Sequence, residues 1–105
     1  MALPAAPTFA GKPAIVVQWA LQVGAYYDAG TAQAIIRQAL AAAPALRGNT
    51  TSSVDRIAAG NRVLYRARLI TSDEDLAFRG CQMLQARKIA CTPVELGTNA
   101  SAQLR

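Results

Sequence analysis

The chain has 105 residues, of which 52% are apolar, enough for one domain with a modest core and too few for two. Nine Arg and two Lys against six acids give a formal charge of +5, which disfavours a cationic partner and suits an anionic or hydroxyl-rich, extended one. Histidine is absent, so the commonest general base and the commonest zinc ligand are both missing, and a non-catalytic role without metal or cofactor is expected.

Ala, Pro, Thr and Gly dominate Leu3 to Pro13. Residues 1–14 are therefore expected to be a flexible linker, residues 15–96 the folded domain and residues 97–105 a flexible tail. The opening residues show neither a secretory leader pattern nor an apolar run long enough for a membrane span.

A first strand is expected over Ile15 to Ala25, where Trp19, Leu21 and Val23 alternate with Ala20, Gln22 and Gly24. Tyr26 to Gly30 suits a turn, and Thr31 is placed to cap a helix. Its apolar positions Ala32, Ile35, Ile36, Ala39, Leu40 and Ala43 fall on one stripe, and Pro44 ends it. Thr50 to Ile57 reads as a peripheral strand. Ala58-Ala59-Gly60-Asn61 joins it as a hairpin to a third strand, Arg62 to Leu69. There Val63, Tyr65, Ala67 and Leu69 take one face, and Arg62, Leu64, Arg66 and Arg68 the other.

Ser72 is placed to cap the second helix, with Asp75 completing a capping box. The acids Asp73, Glu74 and Asp75 fit the positive end of the helix dipole better than they fit a metal site. Leu76, Ala77, Gly80, Cys81 and Leu84 form the buried stripe of this helix, which runs to about Arg87. Ile89 to Val94 is the last strand, at an edge because of Pro93.

Strand, helix, strand, strand, helix, strand is the order of the α+β, ferredoxin-like βαββαβ fold, a four-stranded antiparallel sheet with both helices on one face. Trp19, Leu21, Val23, Tyr65, Ala67 and Leu69 would then meet the helices. Gln22, Arg66 and Arg68 would stand on a bare platform.

On that platform, Leu21-Gln22-Val23-Gly24-Ala25-Tyr26 and Leu64-Tyr65-Arg66-Ala67-Arg68-Leu69 resemble the two signature segments of SPOR domains, small peptidoglycan-binding modules of the bacterial envelope. The similarity spans about residues 17 to 95 and extends to Cys81-Gln82-Met83-Leu84 and Cys91. It is nearest to the C-terminal SPOR modules of D-alanyl-D-alanine carboxypeptidases. The resemblance implies a periplasmic module that binds glycan strands stripped of stem peptides and targets a parent enzyme, its catalytic domain N-terminal to this one, to the division septum. Matched position by position, it assigns Gln22, Gly24 and Tyr26 on the first strand and Arg66 and Arg68 on the third to glycan binding. The chain departs from the family pattern at Ala25, at Leu69-Ile70-Thr71 and at Lys88.

The alternative is an RNA-recognition module of the same topology. That class stacks bases on aromatics at the sheet centre, whereas Tyr65, the one aromatic of the third strand, has the parity of the inward face, so nucleic acid is disfavoured. An envelope location is oxidising, and Cys81 and Cys91 both have core-facing parity, so they are expected to form a disulfide. Lys88 is expected in the left-handed conformation that lets Ile89 leave the second helix.

Overall fold

The computed structural model describes residues 16–98; the expected linker, Ile15 and all but the first two residues of the expected tail lie outside that range. Strand β1 is Val17–Tyr26, helix α1 Ala29–Ala42, β2 Thr51–Ala59, β3 Arg62–Thr71, α2 Glu74–Ala86 and β4 Thr92–Thr98. A 3-10 turn, Pro44–Leu46, follows α1. The strands form one antiparallel sheet in the order β2-β3-β1-β4. This is the ferredoxin-like arrangement the sequence predicts, with β1 and β3 central.

One hydrophobic cluster joins both helices to one face of the sheet. Ala32, Ile36 and Ala39 of α1 and Ala77, Cys81 and Leu84 of α2 pack with Leu21, Val23, Ala67 and Leu69. Trp19 closes one end against Phe78, edge to face, with ring centroids 5.2 Å apart. Among the described residues no helix lies on the opposite face.

Both helix starts differ from expectation. Asp28, rather than Thr31, caps α1: its carboxylate accepts the Thr31 N–H at 2.9 Å and the Thr31 hydroxyl at 3.1 Å. A carboxylate that satisfies an orphan amide and a hydroxyl together outcompetes a threonine oxygen, so the helix begins at Ala29. In α2 the cap is Asp73, not Ser72, accepting the Leu76 N–H at 3.1 Å. The buried Thr71 hydroxyl fixes Asp73 by accepting its N–H at 3.1 Å.

The 3-10 turn brings Leu46 into the core, fully buried. Together with Leu21 it sets how closely α2 approaches the sheet. A Cβ on Gly80 would lie 2.7 Å from Leu21 Cδ2 and 2.8 Å from Leu46 Cδ2. A side chain there would force these two buried leucines to shift.

Helix α2 ends in a Schellman motif. The Ile89 N–H donates to Leu84 O and the Lys88 N–H to Gln85 O, both at 2.9 Å, and Lys88 takes φ +65°. Residues through Ile89 are used by this cap, so β4 starts at Thr92 instead of Ile89 and runs past Val94 to Thr98. Pro93 sits on that edge strand, where its missing N–H costs no ladder bond.

Cys81 and Cys91, both buried, are joined by a disulfide with a Cα–Cα separation of 5.1 Å. The Gln85 amide donates to Cys91 O at 2.8 Å beside it. Helix and edge strand are thus fastened at the point where the chain makes its left-handed exit.

Lys88→Gly should remove the left-handed strain, worth about 0.5–1 kcal/mol, and raise the melting temperature by a few degrees. Reduction of the disulfide reopens a short loop. It should cost about 2 to 3 kcal/mol and lower the melting temperature by roughly 10–20 °C in a scan with and without reductant.

Candidate binding face

Residues directly opposite one another in an antiparallel pair share a face, so the register assigns every side chain of the open face. Ile70 of β3, Ala20 of β1 and Val94 of β4 form one row. The next is Ser53, Arg68, Gln22 and Thr92. Asp55, Arg66 and Ala25 follow, and then Ile57 and Leu64. Gln22 and Arg68 are direct cross-strand partners. Arg66 lies one row further towards the hairpin.

Alternation along β1 breaks between these rows. The register with β3 shifts between Gln22 and Gly24: Gln22 faces Arg68, Gly24 faces Ala67, and Val23 is the extra residue of a β-bulge. Val23 and Gly24 therefore both lie on the helix side, and Val23 is fully buried. Gly24 takes φ +130°, where a side chain is strained, and a Cβ there would overlap the Tyr26 ring and hydroxyl. The Tyr26 hydroxyl folds back to donate to Val23 O at 2.8 Å. That contact closes the bulge.

The bulge sets two of the expected site residues, Gly24 and Tyr26, on the helix side of the sheet. Tyr26 pairs with Tyr65 and packs against the core, and burial raises its phenol pKa above the ordinary value. Gly24 serves the backbone turn and the Tyr26 ring. Of the five residues expected to bind, Gln22, Arg66 and Arg68 come together on the open face. Gly24 and Tyr26 do not.

Tyr27 takes the place expected of Tyr26. It is 66% exposed, and the Arg62 guanidinium carbon stands 5.0 Å from its ring centroid. Arg62 shares the parity of Leu64 and Arg66, so both members of this cation–π pair lie at the hairpin end of the open face. The hairpin itself is a two-residue loop, Gly60-Asn61, with positive φ at Gly60 alone, the type II′ form that matches strand twist.

Asp55 is the member of the site that sequence reading did not anticipate. Its Oδ2 lies within ion-pair reach of Arg68 Nη2 at 2.6 Å and of Arg66 Nη2 at 3.5 Å, and its Oδ1 accepts the Ser53 hydroxyl at 3.1 Å. The contacts to Oδ2 are ion pairs rather than aligned hydrogen bonds. The Nε atoms of Arg66 and Arg68 are shielded from solvent without a hydrogen-bond partner among the described residues. Burial alone would raise the Asp55 pKa, but the Ser53 hydroxyl and the charges of Arg68 and Arg66 outweigh it and hold the carboxyl below its ordinary value. With one acid set against two guanidinium groups, the centre of the face keeps a net positive charge.

Elsewhere, a groove lined by Ala45, Leu76, Arg79, Gln82, Met83 and Ala86 runs along α2, on the helix side. Among the described residues no group of three or more His, Cys, Asp or Glu gathers to hold a metal, and no helix is long and apolar enough to cross a membrane. In comparisons with known proteins the chain matches no family model, no curated protein and no solved structure.

The Asp55 contacts give a signed pH effect. A carboxyl whose pKa is lower in the folded state contributes stability above its unfolded value, near 3.9, and loses that contribution as pH falls through the folded value. Asp55→Asn should therefore lower the melting temperature at neutral pH, and the gap between variant and parent should close as pH is taken from about 5 towards 2. A gap independent of pH would remove the charge of Asp55 as its cause.

Proposed function

We propose that this domain is a SPOR-like, non-catalytic module of the bacterial envelope that binds the glycan strands of peptidoglycan on the open face of β1 and β3. The observation that carries the reading is the juxtaposition of Gln22, Arg68 and Arg66 on the sheet face opposite the two helices. A strand stripped of stem peptides offers hydroxyls, N-acetyl groups and lactyl carboxylates. The Gln amide both donates and accepts, and a guanidinium presents a planar fork of donors to carboxylate and hydroxyl alike. The face is shallow, which suits a long polymer lying across it better than a small molecule needing enclosure.

The disulfide supports the same reading, since disulfides persist in oxidising compartments such as the periplasm. In this reading the module carries a parent enzyme, attached through residues 1–14, to septal wall where denuded strands accumulate. An RNA-binding role finds less support. The centre of the face holds Gln22 and Arg68 rather than aromatics, and single-stranded RNA modules of this topology stack bases there.

Shallow polar sites divide a modest free energy among several contacts of about 1 kcal/mol each. Gln22→Ala with Arg66→Ala should leave the domain folded, its melting temperature lowered only by the loss of the 3.5 Å Arg66–Asp55 contact, and abolish co-sedimentation with amidase-treated peptidoglycan. Sedimentation equal to that of the parent domain would move the site off this face.

A further inference from the structure

We propose that Tyr27, held in place by Arg62, forms an additional sugar-stacking subsite at the hairpin end of the open face and makes binding depend on the length of the glycan. This rests on the glycan-binding reading above. Tyr27 is 66% exposed, more than any other large hydrophobic side chain among the described residues. Exposed aromatic rings ordinarily turn freely, but here the Arg62 guanidinium lies over the ring at 5.0 Å from the centroid. One side of the ring is occupied by the cation. With 66% of the residue exposed, much of the ring is left for a ligand, and a ring biased towards one orientation by the cation loses less freedom when a ligand stacks on it.

The surroundings suit a pyranose. A sugar ring has an apolar C–H face for the π surface and hydroxyls around its rim, and Arg62 supplies donors beside the ring. Ile57 and Leu64, opposite each other on β2 and β3, continue the apolar surface next to it. Arg62, Arg66 and Arg68 share one face of β3, a line of positive charge that complements lactyl carboxylates repeated along a strand.

Spacing sets the length requirement. Leu64, in the row beside Tyr27, and Arg68, in the row of Gln22, are four residues apart on β3, about 13 Å along an extended strand. A ligand that engages both rows must be an extended chain rather than one sugar ring.

The test uses the whole chain, with denuded strands from amidase-treated peptidoglycan, the disaccharide of N-acetylglucosamine and N-acetylmuramic acid, and poly-U as ligands. Tyr27→Ala should lower affinity for strands about five- to tenfold, the loss of one stacking contact. It should leave disaccharide affinity and melting temperature unchanged, and Tyr27→Phe should bind strands as the parent does. If Tyr27→Ala binds strands as tightly as the parent, or loses strand and disaccharide affinity alike, the subsite is overturned while the glycan reading stands. A parent domain that binds no strands overturns both. Binding of poly-U but not strands, lost in Tyr27→Ala, assigns the ring to RNA and overturns the proposal as well.

Discussion

The extra residue in β1 decides how the whole sheet presents itself. Without the bulge, alternation would carry the faces of Leu21 and Gln22 unchanged to the end of the strand, and Tyr26 would share the open face with Gln22. With it, Val23 and Gly24 both turn towards the helices, Tyr26 follows into the core, and Tyr27 emerges on the other side. The cost is a residue at φ +130°. Gly24 minimises that cost, and the bond from the Tyr26 hydroxyl to Val23 O satisfies a carbonyl in the interrupted part of the strand. One glycine and one phenol thus fix which chemistry faces solvent.

A second constraint is the closeness of α2 to the sheet. Gly80 against Leu21 and Leu46 permits an approach that a side chain would allow only if these buried leucines moved. Held that close, the helix must leave abruptly to return as an edge strand. The left-handed Lys88, the Schellman hydrogen bonds and the disulfide are successive parts of that exit. The face that carries Gln22, Arg66 and Arg68 lies on the far side of the sheet from all of this, so its side chains are free to be polar without disturbing the core.

Much of this was legible in the sequence, for reasons that also explain what was not. Period-two alternation in Trp19 to Val23 and Val63 to Leu69, and the apolar stripes of both helices, gave the element order and hence the fold. Parity placed Cys81 and Cys91 in the core and Gln22, Arg66 and Arg68 on the open face, and the structure agrees. Alternation alone is silent about a bulge, because two adjacent aromatics, Tyr26 and Tyr27, leave either one available for the open side. The combination of Gly24 with Tyr26 two residues on was the one available signal. Asp55 escaped notice because its role depends on the register between β2 and β3, a property of strand pairing rather than of either strand. Leu46 escaped because three residues of 3-10 turn are too few to show a period.

The position of β1 in the sheet also bears on how the molecule is made. It is the first element of the domain to be synthesised, yet both of its neighbours come later: Leu21 pairs with Leu69 on one side and Pro93 on the other. The hairpin of β2 and β3, joined by two residues, closes a short loop at small entropic cost. The central strand has no such local partner and waits for distant ones. During synthesis one edge of β1 therefore stays open until β3 has left the ribosome and the other until β4 has, so the sheet is completed only when its last strand arrives.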